Sequence, residues 1–468
     1  MIDELKQYER CRSTASRWLE RVPQHWDVRK LRTLIKARNE RNRPDLPLLS
    51  VARERGVFVR SATDDNHNVI PEDLTNYKVA RAGSLVINKM KAWQGSMGIA
   101  PCDGIVSPAY FVYDFRIANR AFGQALLRSR PYVAHFAQAS DGVRVGQWDL
   151  SIPGMREIPV AIPPPDEQAS IVRFLDHMKV RFDRFIRTKR KLIALLNEQK
   201  QAIVHRAVTR GIDPEPPMRD SAVPWLGEIP AHWEVRPFVR CCVERADYRG
   251  ATPEKVESGV FLVTAKNIRV GWIDYETSKE YVRRSQYANI MRRGLPQLGD
   301  VLLTMEAPLG HVALVDREDV ALAQRIIRFR LDSARLIPEF ALFALNSHYF
   351  QSQLLMRGTG STAQGMKASK LPQLSLACPP LGEQSRILLH LATSLEPTDT
   401  MATRTEREIA LIREYRARLI ADVVTGQLDV REAAARLPAY EAEPIEVADA
   451  DEDDNIDEDP DLAGADEP

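Results

Sequence analysis

"WLERVPQHWDV" at residues 18–28 and "WLGEIPAHWEV" at 225–235 are one phrase written twice, 207 residues apart. Working outward, the offset settles at 216. Gly83 before "SLVINKM" answers to Gly299 before "DVLLTME", and Met155, Ile158 and Val160 answer to Leu371, Leu374 and Leu376. "PPPDEQ" at 163–168 answers to "PPLGEQ" at 379–384, and "AVTRGID" ending at Asp213 to "VVTGQLD" ending at Asp429. The second copy therefore carries about nine extra residues before Gly299. Solenoid units run about 20–50 residues, so a repeat this long is a duplicated domain.

Each copy has two parts. The first mixes short strand-like runs, such as "GSLVINKM" and "GIVSPAYFVY", with Gly and Pro punctuation. It closes on one helical stretch, "RAFGQALLRS" in the first copy and "PEFALFALNSHYFQSQLL" in the second. The second part is one long helix. From Ile171, steps of four and three land on Leu175, Met178, Phe182, Phe185, Lys189, Leu192, Leu196, Gln199 and Ile203, a mostly apolar coiled-coil seam. Asp166 is placed to cap this helix, with Glu167 in its first turn, and Gly211 and Pro214 to stop it. The second helix shares the register through Ile387, Leu391, Met401, Ile412, Tyr415 and Leu419. Pro397 inside it is expected to kink or break it. Pairing the two helices with each other is the simplest reading; packing each on its own domain is the alternative.

The net charge of +1 conceals an asymmetry. Residues 441–468 hold fourteen Asp and Glu and no Lys or Arg, so setting them aside leaves residues 1–440 at +15. Such a body can bind a polyanion. The acidic segment reads as disordered, either a shield for the basic body or a solubilising tail. No apolar run reaches membrane-spanning length and the first ten residues lack a signal core, so the expected compartment is the cytoplasm. Cys11, Cys102, Cys241, Cys242 and Cys378 form no CxxC pair, which argues against a zinc site or a disulfide framework.

Motifs for catalysis are missing. There is no GxxxxGK[ST], HExxH or Gly-x-Ser-x-Gly, and no Asn/Asp-Pro-Pro-aromatic motif with a Gly-rich cofactor loop. A nuclease-like match, Pro165-Asp166 with Glu198-Gln199-Lys200, fails on geometry. Thirty-two helical residues separate the two carboxylates by roughly 48 Å, too far to share a metal.

The ordered set of motifs resembles type I restriction–modification specificity subunits. It comprises "TPEKVESGVFLVTAKNIRVGWID" at 252–274, "GDVLLTMEAPLG" at 299–310, "AQR" at 323–325, "GSTAQGMKASKL" at 360–371, "PPLGEQ" and "EYRARLIADVVTGQLDV" at 414–430. The first copy adds "GSLVINKMKAWQG" at 83–95, "GIVSPAYFV" at 104–112 and "PPPDEQASIVRFLD" at 163–176. The resemblance spans about residues 18–430. It implies an α+β chain, with two related target-recognition domains joined by two long antiparallel helices. The divisions follow: 1–17 an N-terminal lead, 18–165 and 223–380 the recognition domains, 166–222 the first long helix and linker, 381–437 the second, 438–468 the acidic tail. It also implies no catalytic site and no metal in this chain. Partners would be double-stranded DNA with a split site, two methyltransferase subunits, and restriction–translocase subunits. S-adenosylmethionine, ATP and magnesium would belong to those partners. An orphan or decoy specificity subunit and a free-standing DNA-binding regulator are the alternatives.

DNA contacts call for Lys and Arg on phosphates and for Arg, Lys, Asn or Gln on base edges. In the first copy Asn88, Lys89, Lys91, Trp93, Gln94, Arg144, Gln147 and Trp148 cluster at loop-like segments. In the second, Lys266, Asn267, Arg269, Gln324, Arg325, Ser361, Thr362, Gln364, Lys367 and Lys370 do so. Residues 179–191 add seven Lys or Arg along the first helix, facing DNA, a partner or solvent.

Overall fold

The computed structural model describes residues 5–438, except 17–18, 54, 61–72, 145–146, 249–252 and 360–364. It divides into two units, Met1–Thr188 with Glu408–Pro468, and Lys189–Arg407. Two long helices, Pro165–Arg210 and Leu381–Val424, each begin in one unit and end in the other. Among the described residues no helix is long and apolar enough to cross a membrane.

The duplication extends to strand order. In the first unit a four-stranded antiparallel sheet runs Ile35–Ala37, Tyr110–Phe115, Ser84–Asn88, Met97–Ile99. In the second the order is Cys242–Asp247, Ile326–Leu331, Val301–Met305, Leu309–Leu314. The inner strands "SLVIN" and "VLLTM" are buried throughout, which is why they read as continuous apolar runs and do not alternate. A second pairing also repeats: Asp27–Lys30 with Pro159–Ile162, and Glu234–Pro237 with Ser375–Cys378. The extra residues of the second copy fall in an enlarged lobe. There Lys255–Val256, Tyr281–Val282, Val260–Val263 and Val320–Leu322 form a sheet over its own core.

Where one helical stretch was expected, each copy has two short helices. These are Arg120–Leu127 with Arg130–Gln138, and Pro338–Asn346 with His348–Arg357. A serine makes the break in both. Ser129 and Ser347 adopt extended backbone, and their hydroxyls donate to the carbonyls of Leu126 and Ala344.

The repeated motifs meet at the start of each long helix. Glu167 is 5% exposed, and its carboxylate accepts from Trp26 Nε1 at 3.0 Å and from the Tyr8 hydroxyl, while His25 Nε2 lies 2.7 Å away. Burial, reinforced by Glu167, pushes the Tyr8 phenol up, so it stays a donor. In the second unit His232 Nε2 lies 2.7 Å from buried Glu383. Next along, Gln168 accepts from the Asn119 N–H and donates to the Pro163 carbonyl; Gln384 accepts from Ile337 and donates to Pro379. The "EQ" pair thus fixes the helix start to the turn that opens the short helices.

The far end of the other long helix completes each clamp. Gly211, at φ +75°, ends the first helix so tightly against the second unit that a Cβ would lie 3.1 Å from Glu383 Oε1 and 3.3 Å from the Trp233 ring. Gly426, at φ +76°, would place a Cβ 2.4 Å from Pro23 and 3.2 Å from Trp26 in the first unit. Both positions need glycine for the left-handed turn and for the space. In the first unit Lys6 also bridges Asp429 as a β-pair, joining sequence ends.

Several expectations need correction. The first helix begins at Pro165, so Asp166 lies in its first turn and does not cap it. Its buried stripe is Ile171, Phe174, Met178, Phe182 and Ile186, while Phe185 is 53% exposed. A straight helix drifts about 20° per heptad from a 3.5-residue seam, and burial follows the straight helix. Leu175, Leu192, Leu196 and Ile203 are half-buried. In the second helix Ile387, Leu391 and Leu419 are buried and Ile412 half-buried, whereas Met401 is exposed. Tyr415, 40% exposed, still meets Phe182 edge-on at 6.0 Å. Pro397 does not break the helix, which runs unbroken through it with the proline on the exposed side. The helices pair with each other and with the domains. Arg416 bonds Asp183 at 3.0 Å in the first unit, and Lys200 bonds Asp399 at 2.6 Å in the second. Within the second unit Gly211 lies against Glu383 and Lys200 against Asp399, so numbers rise along one helix as they fall along the other and the pair is antiparallel there.

Replacing Glu167 by alanine should strand two buried donors, Trp26 Nε1 and the Tyr8 hydroxyl, and remove the contact to His25. Removing one partner of a buried charged network costs about 3–5 kcal/mol. Thermal unfolding of Glu167→Ala should drop by on the order of 10 °C; a shift below about 2 °C would mean the clamp does not hold the helix.

Candidate nucleic-acid interface

In each unit the turn after the inner strand lies against the connection that leads to Met155 or Leu371. In the first unit that connection is a hairpin, Ser140–Arg144 with Gln147–Leu150. The Leu150 N–H donates to the Lys89 carbonyl at 3.0 Å, and the Lys89 ammonium pairs with Asp149. Trp93 and Trp148 stack obliquely, ring centroids 5.2 Å apart, and Trp93 Nε1 donates to the Met90 carbonyl. The two rings fix the hairpin to the turn. Half-buried Lys91 offers its carbonyl to the N–H groups of Gln94 and Ser96. Gln94 Oε1 is buried with no partner among the described residues, an acceptor lacking its donor. Asn88 is buried and caps the turn through the Met90 N–H. Arg144 and Gln147 face each other across the hairpin backbone; their side chains fall outside the described residues.

In the second unit the same place is an open cleft of about 390 Å³, lined by Met305, Glu306, Gln324, Arg325, Thr359, Gly365, Met366 and Lys367. Three backbone links build it. Glu306 bridges Gly365, the Met366 N–H donates to the Met305 carbonyl, and the Met305 N–H donates to the Arg325 carbonyl. The fold thus brings together Gln324, Arg325 and Lys367 from two distant stretches. Ser361, Thr362 and Gln364 lie outside the described residues.

Other candidates go elsewhere. Asn267 is fully buried, and its amide is spent on structure. Its oxygen accepts from the Thr264 N–H and hydroxyl, and its nitrogen donates to the carbonyls of Asp274 and Ser278. No group is left for a base. Lys370 is half-buried and donates at 2.9 Å to the carbonyl of Arg357, the last residue of its helix. Arg269 is braced on a turn by Asp274 and Thr277, beside exposed Lys266. Hydrogen bonds from the Thr277 hydroxyl and the Glu276 N–H hold the Asp274 carboxyl below the usual range, so it stays a counter-ion there. Trp272 on the same turn is 57% exposed.

Glu306 and Trp272 are neither basic nor amide side chains, so residue type alone does not mark them. The repeat was the available signal. It aligns Glu306 with Met90, in the turn that carries Lys89 and Lys91 in the first copy. A glutamate among cations suits an acceptor for the cytosine amine.

Comparison with known proteins points the same way. A family model described as the type I restriction modification DNA specificity domain matches residues 273–410. The MjaVIII specificity subunit of a type I restriction enzyme from Methanocaldococcus jannaschii is 22% identical over 431 residues, 88% of this chain and 95% of the relative. A putative MjaX specificity subunit from the same organism is 22% identical over 298 residues, 61% of this chain and 63% of the relative. A solved chain from work on assembly and conformational transition of a type I restriction–modification system superposes with a TM-score of 0.56. It is 16% identical and covers 87% of this chain and 99% of its own, a likeness of fold.

The cleft separates two lysines. Lys367→Ala should flatten the salt dependence of duplex binding by about one phosphate contact, while Lys370→Ala should leave the slope unchanged. Anisotropy titrations across salt concentrations read both, and an equal change in the two would return Lys370 to the interface. Asn267→Ala should lower stability by about 1–3 kcal/mol through its stranded partners; unaltered unfolding with weakened DNA binding would reverse its assignment.

Proposed function

We propose that this chain is a type I restriction–modification specificity subunit and reads a split DNA site for an enzyme assembled around it. The observation that carries the reading is the duplication. Two units share strand order and clamp, and each places a candidate contact cluster at the same turn. The clusters differ in chemistry, with a tryptophan-pinned hairpin in one copy and a cleft holding Glu306, Arg325 and Lys367 in the other. Different donors and acceptors select different bases, so the two half-sites differ in sequence. The long helices receive two methyltransferase subunits, and restriction–translocase subunits join through them. S-adenosylmethionine, ATP and magnesium are used by those partners; this chain contributes recognition and no chemistry.

The purified chain alone should transfer no methyl group, and should direct sequence-specific adenine methylation once a cognate methyltransferase subunit is added. Methylation by the highly purified chain alone would overturn the reading. Sequence-specific binding that no methyltransferase ever exploits would favour a free-standing regulator.

The helix pair further acts as a ruler. Lys200 meets Asp399, so residues 196 and 403 lie abreast. Inserting four residues after Leu196 and four after Ala402 nearly preserves each helical face and adds roughly 6 Å. The preferred gap between half-sites should grow by one or two base pairs, at about 3.4 Å each, with the bases read unchanged. An active complex that keeps the original spacing would reduce the helices to docking surfaces.

A further inference from the structure

Val270 and Trp272 stand in water on a turn that is otherwise well braced. Residues 267–274 form a short antiparallel ribbon. The Arg269 N–H donates to the Trp272 carbonyl at 2.9 Å, Ile268 bridges Ile273, and the Asp274 N–H donates to the Asn267 carbonyl at 2.7 Å. Val270 and Gly271 make the tip, with Gly271 at φ +98°, a left-handed position that suits glycine. Ile268 and Ile273 are buried in the core of the enlarged lobe. Side chains alternate along such a ribbon, so the opposed pair Arg269 and Trp272 faces away from that core. Trp272 is 57% exposed and Val270 62%.

The ribbon is fixed in place as well as exposed. The Gly271 N–H donates to the Val312 carbonyl at 2.9 Å, and His311 Nδ1 lies 2.8 Å from the Ile268 carbonyl. Both partners belong to the strand Leu309–Leu314, at one edge of the second unit's four-stranded sheet. Leu309 on that strand pairs with Met305, which lines the cleft. Val312 lies three residues further on, about 10 Å at roughly 3.4 Å per residue. That is the rise of about three base pairs of duplex. Charge fits too. Asp274 is paired with Arg269, Glu276 with Lys279 and Glu280 with Lys255, so exposed Lys266 gives the stretch a positive balance. Two apolar side chains are too few for a stable protein interface, which buries about 800 Å² on each partner. They suit the major groove, about 12 Å wide, which admits a two-stranded ribbon.

We infer that this ribbon enters the major groove of duplex DNA beside the bases met by the cleft. Trp272 and Val270 lie there against base edges and thymine methyl groups, and Lys266 meets a phosphate. The turn is set before DNA arrives, so little freedom is lost when the indole is covered. The inference rests on the DNA-reading function proposed above and adds a second contact to the same half-site.

The test uses the full chain with a type I methyltransferase subunit. Sequencing of modified adenines in cells carrying both supplies the motif, and a duplex containing that motif is the probe. With the photo-crosslinker p-benzoylphenylalanine in place of Trp272, irradiation should join the chain to the duplex. With it in place of Val243, 65% exposed on the strand at the opposite edge of the same sheet, it should not. Trp272→Ala should weaken binding of the motif duplex about tenfold, the scale of one large side chain taken out of water. Its salt slope and unfolding temperature should stay unchanged, whereas Lys266→Ala should flatten the slope by about one contact. No duplex crosslink from position 272, a crosslink from there to the methyltransferase subunit alone, or full affinity in Trp272→Ala would overturn the inference and leave the motif, and with it the proposed function, intact. Cells that yield no chain-dependent motif would overturn both.

Discussion

A buried glutamate at the first turn of each long helix holds this architecture together. Glu167 accepts hydrogen bonds that tie the helix start to the first unit's opening residues, and Glu383 meets His232 in the second. Removing a carboxylate from water is costly; at Glu167 the Trp26 and Tyr8 donors and the His25 imidazole offset it, and at Glu383 the imidazole of His232 does. A glycine ending the other helix then seals each cluster. Every clamp thus gathers three stretches far apart in sequence. Neither copy closes its core with its own residues alone, because Leu419, Val423 and Val424 belong to the first core and Ala207 and Val208 to the second.

That closure explains the form of the repeat. The "HW" and "EQ" motifs recur because each side of the contact needs the other; they build the frame and do not touch the candidate DNA surface. The copies differ where the frame permits. Trp233 Nε1 is buried without a partner among the described residues, while its counterpart Trp26 shares Glu167 with Tyr8. The second copy spends its extra residues on a larger lobe with a separate core. Charge follows the same division, with Lys89 in the turn after the first unit's inner strand and Arg325 and Lys367 lining the cleft beside the second's.

Much of this was legible in the sequence, because a duplication announces itself through spacing alone. Two domain-sized copies, each followed by a long helix, follow from the motif offsets. Three things were hidden, each for a physical reason. A seam counted at 3.5 residues selected Phe185, whereas the straight helix buries Ile186. Pro397 reads as a break, yet lies on the exposed side of a helix fixed at both ends by its clamps. Asn267 has the side chain of a base reader, but its amide geometry closes the 264–278 turn. Residue type states what a side chain can bond, and only the fold states what it has already bonded. The cleft of the second unit joins residues about forty positions apart, which no local pattern relates.

The central claim is that two related units read two different halves of one DNA site. Single-molecule sequencing of modified adenines tests it most directly, in cells carrying this chain and a type I methyltransferase subunit, with and without Arg325→Ala. The account expects a chain-dependent motif in two parts separated by unspecified bases, with Arg325→Ala relaxing one half while the other half and the gap stay fixed. A single undivided motif, or relaxation of both halves by that one substitution, would contradict it.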